Sequence, residues 1–275
     1  MADTSISFAD KVWNPTTGCT MGCDYCYARR IAHRRLPKGG FTDREFSEIR
    51  FHPDRLAHPL KWKKPQRIFV DSMGDLLDPA VDWDWFYQIV SVMMNAPQHT
   101  FLVFTKFAAR MQQYVNSRDI ERLIFGRKSD HIFWCATAEN QVAVDGRVSY
   151  VCNLKWGRKG VSVEPMRGPV NLEPYMNNLN WIVCGGTSGT DAMPIKPEWV
   201  RSLRDQCEAA SVPFWFKQWG EYGMTYYRSA YAPVSSPEPS TAYSWGDGVY
   251  SPRIGRKSAG CLLDGKEYHQ FPDVR

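Results

Sequence analysis

Arg67-Ile68-Phe69-Val70-Asp71 is a short apolar run that stops on a charged residue, the form of a strand buried on both faces of a parallel sheet. The pattern recurs along the chain. Lys11-Val12-Trp13 precedes it, and Phe101-Leu102-Val103-Phe104-Thr105, His131-Ile132-Phe133-Trp134-Cys135, Gly160-Val161-Ser162-Val163, Trp181-Ile182-Val183-Cys184 and Val212-Pro213-Phe214-Trp215-Phe216 follow. Between these runs lie segments of helical period. Residues 82–95 place Phe86, Ile89, Val90 and Met93 on one face, 107–116 and a weaker stretch near 141–152 follow, and 197–210 opens on Pro197 and repeats Val200, Leu203, Cys207 and Ala210 at three and four. Strands alternating with helices predict an α/β fold: a partial or near-complete (β/α) TIM-like barrel of about six to seven units over 1–223. After Gly223 the texture changes to Ser, Pro, Tyr and Gly, and Gly260 to Gln270 reads as a hairpin turning on Asp264-Gly265. Residues 224–275 are therefore expected to form a C-terminal extension that caps the barrel or covers substrate, too poor in aliphatics to fold alone.

Gly18-Cys19-Thr20-Met21-Gly22-Cys23-Asp24-Tyr25-Cys26-Tyr27 holds three of the eight cysteines. Spacing this tight suits one loop wrapped round one inorganic centre rather than a disulfide framework. An iron–sulfur cubane held by three thiolates keeps its fourth iron open to a non-protein ligand. The residues 27–36 then read as a helix with a basic face of Arg29, Arg30, His33 and Arg34, which either faces phosphates or is simply solvated. Two other readings of the cysteines stay open. One is a zinc site with His33, His52 or His58 as fourth ligand; the other is three inert packed thiols.

Cys19-x-x-x-Cys23-x-x-Cys26, with Tyr25 before the third cysteine, resembles the signature of the radical S-adenosylmethionine (SAM) enzymes. More narrowly, Trp13-Asn14-Pro15-Thr16-Thr17-Gly18-Cys19, Asp71-Ser72-Met73-Gly74-Asp75-Leu76, Ser162-Val163-Glu164-Pro165, Phe216-Lys217-Gln218-Trp219-Gly220-Glu221 and Leu262-Leu263-Asp264-Gly265 resemble a phage-associated three-cysteine branch of that superfamily. The resemblance implies a partial TIM-like barrel and a [4Fe–4S] cluster on Cys19, Cys23 and Cys26, with SAM on the open iron. It also implies an electron donor such as flavodoxin or ferredoxin, and a 5′-deoxyadenosyl radical that abstracts hydrogen from substrate.

In such barrels chemistry sits at the carboxyl ends of the strands. The resemblance assigns SAM to Tyr25, Ser72, Gly74 and Asp75, where Met73-Gly74-Asp75 departs from the usual Gly-Gly-Glu-like segment by keeping one glycine and a shorter acid. Thr137, Glu139 and Asn140 fall where ribose hydroxyls are commonly held. Glu164 and the turn Gly185-Gly186-Thr187-Ser188-Gly189 complete that set, the glycines giving close backbone approach and N–H groups for an anion. Lys106, Lys217, Gln218, Trp219 and Glu221 at strand ends, with Arg256 and Lys257 in the tail, are candidate substrate contacts.

A net charge of +5 and lysine–aromatic interleaving at Lys61-Trp62-Lys63-Lys64 suit a nucleic-acid base or modified nucleoside. The resemblance to the phage-associated branch implies modified thymidine in phage DNA, with isomerisation or rearrangement, a C–C bond change or a simple hydrogen abstraction all open as the reaction. A peptide or small metabolite is the alternative substrate. A non-catalytic zinc or iron–sulfur nucleic-acid-binding protein is the alternative of another class, although no helix-turn-helix or zinc-finger pattern occurs. A polar start, no membrane-spanning run and eight cysteines predict a cytoplasmic protein without membrane contact.

Overall fold

The structure, a computed structural model, describes residues 4, 6–35, 44–224, 226–227, 242–246 and 248–273. Seven strands form one sheet: β1 (Lys11–Trp13), β2 (Arg67–Val70), β3 (Thr100–Thr105), β4 (Ile132–Thr137), β5 (Arg158–Val163), β6 (Trp181–Cys184) and β7 (Phe214–Phe216). Their spatial order is their chain order and every pairing is parallel, with registers such as Val70 opposite Val103 and Cys184 opposite Phe216. The sheet curls into a half-barrel with helices between the strands, as the alternation predicts. The helices are α1 (Tyr27–Arg35), α2 (Trp83–Met94), α3 (Ala108–Val115), α4 (Arg118–Ile124), α5 (Gln141–Cys152) and α6 (Pro197–Ala209).

Strand alternation sorts side chains into two cores. Ile68, Val70, Phe101, Val103, Ile132, Trp134, Val161, Val163, Ile182, Phe214 and Phe216 face the helices and join Phe86, Ile89, Met93, Val148, Val200 and Leu203. Their neighbours Phe69, Leu102, Phe104, Phe133, Cys135, Trp181, Val183 and Trp215 face the concave side. There Phe8, from the segment before β1, fills the floor, with its ring 5.6 Å and edge-on from Trp181 and 6.3 Å from Trp215. Because both faces are covered, the strands read as continuous apolar runs rather than as alternating ones.

Two elements differ from expectation. α4 was not evident from periodicity, because seven residues give too few turns to show one; Ser117 starts it, its hydroxyl accepting from the Ile120 N–H. The tail also carries a three-stranded antiparallel sheet, β8 (Tyr226–Tyr227), β9 (Ala242–Gly246) and β10 (Val249–Pro252), in the order β8–β10–β9. The turn at Asp264-Gly265 is as expected: both residues take positive φ, 52° and 77°, and Leu263 and Lys266 exchange backbone hydrogen bonds of 2.9 and 3.0 Å. Beyond it, Phe216 N–H donates to Tyr268 and Gln270 N–H to Phe214, so this segment covers the free edge of β7. Trp62 packs on the main core and lies edge-on to His99, the covering role rather than an exposed stacking one. The Pro37-Lys38-Gly39-Gly40 stretch and the side chains of His33 and Arg34 lie outside the described residues. No helix among the described residues is long and apolar enough to cross a membrane.

Removing the floor ring, Phe8→Ala, opens a cavity bounded by rigid aromatic rings that cannot collapse into it. It is expected to cost about 3–5 kcal/mol in urea-induced unfolding.

Candidate active site

Carrying each concave-facing alternation one step past its strand delivers Asn14 from β1, Asp71 from β2, Lys106 from β3, Thr137 at the end of β4, Glu164 from β5 and Lys217 from β7. All six line one cavity of about 690 Å³ at the carboxyl end of the half-barrel, a size usual for small-molecule sites. The same step on β6 falls on Gly185. A Cβ there would lie 2.9 Å from the Glu164 carboxylate, so the missing side chain makes room for that acid. Lys217 Nζ sits 2.9 Å from Glu164 and 5.3 Å from the centre of the Phe8 ring.

The cysteine loop covers this mouth, and Cys19, Cys23 and Cys26 all line the cavity. Its backbone is tied down at many points. Gly18 N–H donates to Met73 and Cys19 N–H to Phe46, both at 2.9 Å, and the Thr20 N–H and hydroxyl donate to Asp78 at 2.7 and 2.9 Å. The Tyr27 hydroxyl reaches the Ser72 carbonyl at 2.6 Å. Lys106 donates to the Tyr25 hydroxyl, and Arg167 pairs with Asp24 at 3.1 Å while lying over the Tyr25 ring. Gly18 takes φ 101° and packs so closely on Glu48 and Phe46 that a Cβ would meet their carbonyls at 2.9 Å. Two backbone N–H groups, of Met21 and Arg29, point at the sulfurs of Cys19 and Cys26 at 3.4 Å each.

Three acids have shifted titrations. Asp71 is buried, with φ 52°, and accepts from the Thr16 N–H and hydroxyl at 3.0 and 2.5 Å; burial outweighs these bonds and pushes it up to about 7. Burial likewise pushes Asp75 up to about 6, although it accepts from the Thr105 hydroxyl, Lys106 N–H and Leu77 N–H. For Glu139 burial acts upward too, but Lys106 at 3.5 Å and Arg147 at 2.8 Å overcome it and hold the carboxyl low.

Of the residues expected from the sequence, Tyr25, Ser72, Gly74, Asp75, Lys106, Thr137, Glu164, Gly186, Lys217, Gln218 and Arg256 meet in the cavity with the three cysteines. Six do not line it. Asn140 caps α5, its side chain accepting from Ala143 N–H at 2.9 Å. Glu139 stands behind Lys106, and Gly185 beneath Glu164. Trp219 is 2% exposed in the main core, its indole N–H donating to the Leu262 carbonyl. Glu221 accepts from Gly189 N–H at 2.9 Å, and Lys257 is exposed. The glycine turn does not present free amides as expected: Gly185 N–H donates to Val163, Gly186 N–H to Gln218 and Gly189 N–H to Glu221. Of the histidines considered for zinc, His52 is engaged through Nε2 with the Thr17 hydroxyl at 2.8 Å. Asn14 and Asp71 carry no signal of their own in the sequence, whereas Arg30, one of the basic helix face, does line the cavity. The first two follow from the one-step extension of their strands; Asn14 accepts from the Ser72 hydroxyl and Met73 N–H at 3.1 and 3.2 Å.

Asp71 gives the site a pH signature. Its folded pKa lies above its ordinary 3.8, so the native state retains a proton that the unfolded chain releases. The stabilisation from this group is complete below about 4 and is lost as pH rises toward 7. Asp71→Asn is expected to flatten that part of the stability–pH curve, by about 2.5 kcal/mol in urea unfolding at pH 5 against pH 8.

Two solved structures are similar in fold. A cysteine-to-serine mutant of spore photoproduct lyase matches at 13% identity and a TM-score of 0.46, and spore photoproduct lyase complexed with a dinucleoside spore photoproduct at 12% and 0.44; each covers 92% of this chain and 71% of that one. No curated protein matches the chain. A family model does match residues 3–272, nearly the whole length, and the chain belongs to that family, described as "Protein of unknown function (DUF5131)".

Proposed function

We propose that this protein is a radical SAM enzyme. One observation carries the reading: a loop with three closely spaced cysteines closes the mouth of a half-barrel, and its thiols share one cavity with the strand-end polar residues. The donor set fits a [4Fe–4S] cluster. Each thiolate of a cubane binds a different iron, so the sulfurs must line a common wall rather than meet at a point. Among the described residues no three His, Cys, Asp or Glu groups converge on one ion. At Cys19, burial and the Asp75 carboxylate push the thiol up and only the Met21 N–H acts the other way, so there a thiolate needs the positive charge of the irons. Once bound, cluster and SAM together supply a 5′-deoxyadenosyl radical that takes hydrogen from substrate.

The chain's own residues then have defined tasks. Cys19, Cys23 and Cys26 hold the cluster. Ser72, Gly74 and Asp75 border it and Thr137, Glu164 and Gly186 line the wall beyond, a polar surface suited to SAM. Lys106, Lys217, Gln218 and Arg256 face the remaining space, where a substrate fits. Glu139, with Arg147, fixes Lys106, which in turn fixes Tyr25 and the cysteine loop. The tail, 224–275, acts as a cap: Trp219 N–H bonds Gly260, Leu263 is buried in the main core, and Arg256 lines the cavity. Such a cap excludes water and competing hydrogen donors from a reactive centre.

For the substrate, the net charge of +5 and four cationic side chains on the cavity wall (Arg30, Lys106, Lys217 and Arg256) favour a nucleic-acid base or modified nucleoside. Eight unpaired cysteines suit a reducing, cytoplasmic setting, where flavodoxin or ferredoxin supplies the electron.

Anaerobic reconstitution with iron and sulfide, followed by dithionite and SAM, is expected to give 5′-deoxyadenosine. The Cys19→Ala, Cys23→Ala, Cys26→Ala triple variant should give only background. A wild-type protein that loads stoichiometric zinc and no cluster would overturn the reading.

A further inference from the structure

Charges in this cavity are paired at one end and unpaired at the other. Lys106 stands 3.5 Å from Glu139, Lys217 2.9 Å from Glu164, and Arg167, at the loop above, 3.1 Å from Asp24. Three arginines lack such partners: Arg30 and Arg253 on 187–190, the loop after β6, and Arg256 on the cavity wall that Thr187 and Ser188 also line. Arg30 on α1 donates through Nη2 to the Ser188 carbonyl at 2.6 Å, while its Nη1 is buried with no hydrogen-bond partner. Gly189, with φ 103°, admits that guanidinium; a Cβ would stand 2.5 Å from Nη1. Arg253 donates to the carbonyls of Gly189 and Thr190 at 2.7 and 2.9 Å, and Arg256 lines the cavity from the tail. Among the described residues none of the three is ion-paired to a carboxylate. Glu221 Oε1 accepts from Gly189 N–H at 2.9 Å; this one carboxylate stands at the loop against three guanidinium groups and makes no ion pair with any of them.

Gln218 adds a second unmatched group. Its Nε2 donates to the Gly186 carbonyl at 2.8 Å. That carbonyl can only accept, so the amide must turn its nitrogen there and leave Oε1, which is buried without a partner on the same cavity wall. Backbone carbonyls orient the guanidinium groups without neutralising them. A buried donor left unpaired is unfavourable, and the planar fork of arginine matches phosphate oxygens two at a time.

We infer that Arg30, Arg253 and Arg256 round the 187–190 loop form a phosphate-binding subsite, beside Gln218, whose amide is held by the Gly186 carbonyl. The substrate then enters as a nucleotide or nucleic-acid strand rather than as a free nucleoside. This rests on the nucleic-acid reading proposed above and narrows it.

The test is an anisotropy titration with a labelled five-nucleotide oligothymidylate over a range of salt, on protein with and without a loaded cluster. No turnover is needed, so failure of the radical chemistry and failure of this subsite are read separately. Arg30→Gln is expected to weaken binding about tenfold and to lower the slope of log affinity against log salt by about 0.7. Arg256→Gln, an exposed side chain whose loss leaves the fold intact, should act in the same direction. SAM affinity should not change. Unaltered oligonucleotide affinity and slope in both variants would overturn the inference. So would an acidic peptide of equal charge binding as tightly, or a tenfold loss of SAM affinity with oligonucleotide binding intact, which would assign the anion to the methionine carboxylate.

Discussion

Everything in this molecule depends on two-sided burial of one parallel sheet. Each strand sends one set of side chains to the helices and the alternate set to the concave interior, and both must leave water. The helices cover the first set. The second is covered by the segment before β1 and by the end of the tail, where Phe8 and Phe271 pack on Trp181, with ring centres 5.6 and 4.8 Å away. A half-barrel has no closing strand to shield its interior, so aromatic side chains of large area take that place. The floor they build also limits where a ligand fits, because only the carboxyl-end half of the concavity stays open.

The same alternation explains why the site assembles where it does. A strand that alternates up to its last residue hands its next concave-facing position to the rim, and the residues found there are Asn, Asp, Lys, Thr, Glu, Gly and Lys. Ion pairs satisfy three of the four charged groups among them: Glu164 with Lys217, and Lys106 with Glu139 behind it. A wall so neutralised is polar and fixed. It leaves the arginines near 187–190 as the uncompensated charge.

All seven sheet strands were legible in the sequence, because a strand buried on both faces is an unbroken apolar run such as Trp181-Ile182-Val183-Cys184. The cysteine triad was legible because its spacing is local. What could not be read were the partnerships made across the fold. Asn140 has the look of a ligand group but satisfies the first turn of α5. Gly186 looks like a place of ligand approach, yet the close neighbour above it is the Trp219 backbone. Asp71 was passed over because only its parity, not its type, sets it apart. Arg30 was read as part of a basic helix face, and only the fold shows that it crosses to Ser188.

The hydrogen bonds that fasten the cysteine loop all end on protein atoms: Met73, Phe46, Asp78, Ser72 and Lys106. In a zinc finger the metal supplies the folding energy, and the chain without it is unstructured. Here the loop's shape is set by the barrel rim. The positions of the three sulfurs therefore answer to residues as many as 81 places away in the chain, and a substitution on the far rim can move them.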